Sequence, residues 1–295
     1  MVLHEPLPEG LRPGGRFSDW QRIPCAFVVA DVDGTLIGPS HHATERVVDA
    51  ARQLIRAGVA TGFATGREWD GVAALHQQLG LRGPHVLYNG GEVRVDGEVI
   101  ARWELSAERV DALLGICRAM DLYAELYVGD GFLVTDRREH ARPHWALLGK
   151  EPLEVVGDRA GGDLPVVIKA SVVLTAAEGP AVDVVLAELK RLRASVSVSW
   201  APATPQLTYV NITHPDADKG KALAVAARHL GVPLAAVGTI GDGLNDVSLL
   251  EAAGTAIAMG QAPAELRAVA HLVVPEVAED GVAHAFAALA TWARA

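Results

Sequence analysis

Phe27-Val28-Val29-Ala30-Asp31-Val32-Asp33-Gly34-Thr35-Leu36 is a short apolar run that ends in two carboxylates and a turn. A run of this kind, bounded by turn residues, fits the central strand of a parallel sheet covered on both faces. Alternation puts Asp31 and Asp33 on the same side while the strand geometry persists. Gly34 then lets the chain turn sharply. In open α/β sheets, ligands bind just past the carboxyl ends of strands, where both acids fall. An Asp-x-Asp-Gly run is also a common polar turn, so this stretch alone leaves a functional site and a plain strand end equally open. The polar clusters that end later strands decide between them.

Thr44 is placed to cap a helix whose apolar positions Val47, Val48, Ala51, Leu54 and Ile55 follow helical spacing, with Gly58 ending it. Val59–Thr65 reads as a second strand, and a strand–helix–strand crossover makes it parallel to the first. It ends in Ala64-Thr65-Gly66-Arg67, close to the start of a helix running to Leu79, where free amides favour anions. A Thr that only caps that helix is the alternative. Val86-Leu87-Tyr88 is expected to be a third strand, followed by Asn89-Gly90-Gly91.

There the pattern changes. Glu92–Trp103 reads as a hairpin turning at Asp96-Gly97, and Tyr123–Thr135 as another turning near Gly129-Asp130-Gly131. Helices are expected over Ala107–Met120 and Gly179–Arg193, and strands over Pro165–Leu174, Val196–Trp200 and Gln206–Ile212. Hairpins mixed with helices describe an inserted α+β unit, residues 92–213. The parallel pattern resumes when Asp218 caps a helix carrying Lys219, Leu223, Ala226 and Ala227. Ala236–Ile240 is a strand leading into Gly241-Asp242-Gly243-Leu244-Asn245-Asp246, Thr255–Met259 a last core strand, and Leu272–Val274 an edge piece. The expected fold is α/β, a doubly wound parallel sheet formed by residues 25–91 and 214–295, with the insert between them. Residues 1–24, polar and rich in Pro and Gly, are expected to be a loosely attached arm.

Half of the 295 residues are hydrophobic, ample for a buried core, and the net charge is −10. That balance argues against a nucleic-acid or anionic-membrane surface, which needs clustered Lys and Arg. It leaves room for a small phosphorylated substrate, which needs only local positive charge. Cys25 and Cys117 have no metal-ligand spacing and read as buried thiols of a reducing compartment. No apolar run is long enough to span a membrane and no signal-peptide centre precedes the first strand, so a cytoplasmic location is expected.

Three strands thus end in polar clusters, Asp31/Asp33, Thr65 and Asp242/Asn245/Asp246, with Lys219 at a helix start before the third. This ordered set resembles the haloacid dehalogenase superfamily of phosphohydrolases. Its four motifs correspond to Asp31-Val32-Asp33-Gly34-Thr35, Thr65-Gly66-Arg67, Asp218-Lys219-Gly220 and Gly241-Asp242-Gly243-Leu244-Asn245-Asp246. Tyr88-Asn89-Gly90, Lys219-Gly220-Lys221-Ala222-Leu223 and Glu279-Asp280-Gly281-Val282 look like the Cof-type branch, in which a large α/β cap sits between the second and third motifs. The resemblance covers residues 26 to about 290. Two positions depart from it. Gly260-Gln261-Ala262 stands where the branch usually has Gly or Asn followed by Asn-Ala, and Asn89-Gly90-Gly91 where it usually has Asn-Gly-Ala. Neither departure is expected to touch the four motifs.

The resemblance implies a Mg²⁺-dependent phosphatase acting on a small phosphorylated metabolite, such as a sugar phosphate. A phosphate monoester is a dianion, so a carboxylate that attacks it needs positive charge nearby. By resemblance, Asp31 is the nucleophile that forms an aspartyl-phosphate, and Mg²⁺ is held by Asp31, Asp242 and the backbone carbonyl of Asp33, hard oxygen ligands that suit it. Lys219 is the second cation, and it is one of only five lysines in the chain. Thr65, Gly66, Lys219 and Asn245 are expected at the phosphoryl group, Asp246 at Lys219 or a metal-bound water, and Asp33 as acid and then base. Arg67 is open between the ligand and an internal salt bridge. Within the insert, the basic and aromatic run that carries Arg137, Arg138 and His144 is open between contact with a sugar or second anion and a solvated loop, and His41 and His42, which follow the nucleophile loop, are open between substrate contact and plain surface histidines. A phosphomutase-like phosphotransferase and a non-catalytic binding protein remain as competing readings.

Overall fold

The computed structural model of the chain describes residues 6–40, 42–129, 131–178, 182–199 and 204–293. His41, Asp130, Gly179 and Trp200, each part of an expectation above, lie outside the described residues. The chain opens with β1 (Arg12–Pro13), β2 (Phe27–Ala30), α1 (Glu45–Arg56), β3 (Ala60–Phe63), α2 (Asp70–Leu79), β4 (His85–Leu87), β5 (Glu92–Val95) and β6 (Glu98–Arg102). There follow α3 (Ala107–Met120), β7 (Ala124–Val128), β8 (Gly131–Val134), α4 (Arg142–Leu148), β9 (Lys169–Thr175), α5 (Val182–Leu189), β10 (Ser195–Ser199) and β11 (Leu207–Thr213). It closes with α6 (Lys219–His229), β12 (Val237–Gly241), α7 (Val247–Ala252), β13 (Thr255–Ala258), α8 (Ala264–Val269), β14 (Leu272–Val273) and α9 (Gly281–Trp292). Two compact units result, Met1–Ala101 with Asp218–Ala295, and Arg102–Ala217.

The first unit is built on a six-stranded sheet in the order β1-β14-β13-β12-β2-β3, parallel except for β1. Every residue of β2 and β12 is buried, as continuous apolar strands covered on both faces should be. From β2 the chain winds one way to β3, and from β12 it winds the other way to β13 and β14. The adjacent ends of β2 and β12 therefore form a topological switch point, the place where such sheets open a crevice. Local chemistry sets the helix starts. Thr44 Oγ1 accepts from the Val47 N–H at 3.2 Å, and Asp218 Oδ1 accepts from the Lys221 N–H at 2.7 Å.

Four expectations are corrected here. The N-terminal segment is not a loose arm along its described length: Arg12–Pro13 pairs with Leu272–Val273, and buried Trp20 donates to Thr255 Oγ1 at 3.1 Å. An apolar indole and an open sheet edge both gain by that docking. For the same reason Leu272–Val273 is an interior strand and not the edge. The hairpin turning at Asp96-Gly97 belongs with the first unit up to Ala101, because β5 pairs with β4 of that unit. Finally, the third strand stops at Leu87. Tyr88, Asn89 and Gly90 all take positive φ (53°, 56° and 99°), a turn that strand propensity does not foretell.

The second unit is an antiparallel sheet in the order β10-β11-β9-β7-β8. One face packs Leu126, Leu133, Val172 and Val210 against Val110, Leu114, Cys117 of α3 and Val185, Leu189 of α5. No helix among the described residues is long and apolar enough to cross a membrane.

Candidate active site

Asp31 follows directly on β2, and its N–H donates to the Ile240 carbonyl of β12 at 2.8 Å, which extends the parallel pairing to the very end of the strand. This fixes its carboxylate at the switch point. Lys219 opens α6, and its ammonium donates to Asp31 Oδ1 at 2.5 Å and to Asp246 Oδ1 at 2.6 Å. All three side chains are almost fully enclosed, with Lys219 at 1 % and Asp246 at 0 % relative exposure. Asp246 also shapes the loop that carries Asp242, since its Oδ2 accepts from the N–H groups of Asp242 (3.1 Å) and Gly243 (3.0 Å). Both Asp246 oxygens are thus committed to holding Lys219 and the metal-motif turn.

Gly34 is needed for close approach. It has φ +84°, and a Cβ there would run into the Asp242 carboxylate. Thr35 Oγ1 donates to Asp242 Oδ1 at 3.3 Å. The acids Asp31, Asp242 and Asp246 offer oxygens within 4.8 Å of one another. Burial first, and the Asp246 charge second, hold the Asp31 carboxyl well above the usual carboxylate range, against the pull of Lys219. Asp242 is pushed up to about 6, again by burial and then by Asp246. For Lys219, burial disfavours the charged form, but Asp246 and Asp31 outweigh it and raise the pKa above the ordinary value. One ammonium among three carboxylates leaves excess negative charge. An all-oxygen, hard donor set with that excess fits a divalent cation such as Mg²⁺.

The other expected residues of the first unit, Asp33, Thr65 and Asn245, lie on the loops that follow β2, β3 and β12. Thr65 is buried, and its N–H donates to the Val86 carbonyl at 2.9 Å. Its Oγ1 accepts from the Arg67 N–H at 3.1 Å, so it caps the turn 65–67 and not the helix α2. The unusual turn at Tyr88-Asn89 is pinned to this loop, through Tyr88 N–H to the Arg67 carbonyl (3.1 Å) and Asn89 N–H to the Thr65 carbonyl (2.9 Å). Asn245 is exposed and donates to Asn89 Oδ1 at 3.2 Å. Asp33 is half exposed and both of its oxygens accept from Arg67, at 2.8 Å and 2.5 Å. The guanidinium is braced in turn by the Gly71 carbonyl at 3.1 Å. The open question over Arg67 therefore resolves into a bidentate ion pair.

One expectation is revised. Gln261 does touch the motifs, because its Nε2 donates to the Gly34 carbonyl at 2.6 Å. The only signal in the sequence was its departure from the branch pattern. In the second unit the basic run is engaged internally. Arg138 pairs with Asp121 (2.6 Å) and Asp136 (3.0 Å), Arg137 with Glu151 (3.3 Å), and buried His144 Nδ1 with Glu125 Oε2 (2.9 Å). His42 is exposed.

The profile of the haloacid dehalogenase-like hydrolases matches residues 28–286. The phosphatase YwpJ of Bacillus subtilis is 26% identical over 280 residues, covering 88% of this chain and 97% of that protein. A phosphoglycolate phosphatase of Methanopyrus kandleri is 28% identical over 259 residues, covering 88% and 94%. The crystal structure of a haloacid dehalogenase-like hydrolase from Bacteroides thetaiotaomicron superposes with a TM-score of 0.74 at 25% identity, over 89% of this chain and 98% of that one. With the match spanning both halves of the sheet and every strand end that carries an acid, the chain belongs to the haloacid dehalogenase-like hydrolases.

Proposed function

We propose that the protein is a Mg²⁺-dependent phosphohydrolase that removes phosphate from a small phosphorylated metabolite, with a sugar phosphate as the preferred class, through an aspartyl-phosphate. The observation that carries this reading is the Lys219 ammonium held between Asp31 and Asp246 beside Asp242, at the switch point of the sheet. Asp31, Asp242 and the Asp33 carbonyl would hold the metal, which offsets the charge of the phosphoryl group when bound. An Asp31 oxygen forms the new bond to phosphorus while the bond to the leaving oxygen breaks. Asp33 gives that oxygen a proton, then takes one from the water that cleaves the aspartyl-phosphate and frees inorganic phosphate. To do so its carboxylate must exchange its contact with Arg67 for one with the substrate, which its position at the mouth allows. Lys219 offsets the charge of the dianion, and Thr65, the Gly66 N–H and Asn245 supply donors to the phosphoryl oxygens. Asp246 positions Lys219. Choice of the leaving group is assigned to the inserted unit.

The test is phosphate release across a panel of phosphorylated metabolites, by the native chain and by Asp31→Asn. The amide cannot serve as nucleophile, so turnover is expected to vanish in a folded variant. Near-native turnover by Asp31→Asn, or an isomeric sugar phosphate in place of free phosphate, overturns the assignment.

A further inference from the structure

Gln261 lies in the turn after β13, outside every motif that carries the chemistry. Its side chain nevertheless joins three loops of the first unit. Nε2 donates to the Gly34 carbonyl at 2.6 Å and lies 3.5 Å from Asp242 Oδ2. Oε1 accepts from the Val277 N–H at 3.1 Å. These partners fix which end of the amide points where. Val277 N–H can only donate, so it takes the oxygen, and the Gly34 carbonyl can only accept, so it takes the NH₂. The nitrogen is thereby aimed at the Gly34–Asp242 junction, where the absence of a side chain on Gly34 lets the two loops meet. With Thr35 Oγ1 on Oδ1 and Gln261 Nε2 on the Oδ2 side, the Asp242 carboxylate is steadied from both oxygens.

We infer that Gln261 is a positioning residue for the divalent-cation site, holding the Asp242 carboxylate and the loop that presents the Asp33 carbonyl in one arrangement; this rests on the reading of that site given above. Partners that orient a metal-binding group tune its affinity for the ion or its activity, and their loss typically costs about 10–100-fold. The length of the side chain matters. The branch usually has Asn here, one methylene shorter, so the longer side chain is the feature of this chain that spans from the Gly34 carbonyl to the Val277 N–H.

The experiment is Mg²⁺ binding by calorimetry on metal-stripped full-length protein, for the native chain, Gln261→Ala and Gln261→Met, with phosphate release measured against Mg²⁺ concentration. Met keeps the volume and loses the amide, so it serves if Ala does not fold. Loss of the bridge is expected to raise the Mg²⁺ dissociation constant about 10–100-fold. At saturating Mg²⁺, kcat is expected to return towards the native value. Gln261→Asn is expected to behave like the other two. Native affinity in Gln261→Met overturns the inference while leaving the proposed function intact. So does a loss of kcat that saturating Mg²⁺ does not restore, the mark of a merely structural role. No saturable Mg²⁺ binding by the native chain overturns the metal reading itself, and this role with it.

Discussion

Replacing Lys219 by Met keeps much of the stem's bulk and removes its charge. Lys219 is 1 % exposed and holds Asp31 at 2.5 Å and Asp246 at 2.6 Å. Removing one partner of a buried ion pair costs about 3–5 kcal/mol, because the remaining charge stays buried. A buried carboxylate can escape that cost by taking a proton instead. Asp31 already lies well above the usual carboxylate range, through burial and then the Asp246 charge, with Lys219 pulling it down. Without Lys219 it moves further up. A folded-state pKa above the unfolded value contributes stability that is present below the unfolded pKa and is lost as pH rises through the folded one. The loss, up to about 3–5 kcal/mol, is therefore expected to be larger near pH 7.5 than near pH 5.5, because a raised Asp31 escapes more of the cost by taking a proton at the lower pH. With a urea dependence of about 2 kcal/mol per M, the midpoint falls by roughly 2 M at the higher pH. The assay is urea unfolding in chelator at both pH values, following the transition that Mg²⁺ shifts in the native protein. An equal or greater loss near pH 5.5 refutes the reasoning.

Asp242 titrates at about 6, raised by burial and by Asp246, so protons compete with the cation below that pH. The apparent Mg²⁺ dissociation constant from calorimetry is expected to rise about tenfold per unit of pH as pH falls below that value, and to level off above it; a flat profile between about pH 5 and 7 contradicts this. Asp33→Asn is expected to slow turnover by about 10²–10⁴-fold on substrates whose leaving oxygen needs a proton. It should cost much less on p-nitrophenyl phosphate, and an equal loss in kcat/KM on both substrates removes Asp33 from the acid role.

What the sequence determined by itself was local and periodic. The apolar run Phe27–Ala30 ending in Asp31, and the caps at Thr44 and Asp218, follow from residue type and spacing alone. Strand–helix–strand order then puts the polar clusters at the same end of a parallel sheet, because crossovers have one hand. Tertiary structure alone decided which acid meets which cation. Asp31 and Lys219 are 188 positions apart, and only the adjacency of β2 and β12 brings Asp246 to the other side of that ammonium. The Arg67–Asp33 pair, the Gln261 bridge and the docking of Trp20 on Thr255 share that character. Each is a contact between loops or a segment at the sheet edge, where no periodicity exists to be read. The turn at Tyr88-Asn89 is the same case in the backbone: Asn89 tolerates positive φ, but Tyr88 seldom adopts it and is held there by its bond to the Arg67 carbonyl, which a sequence window around residue 88 does not contain.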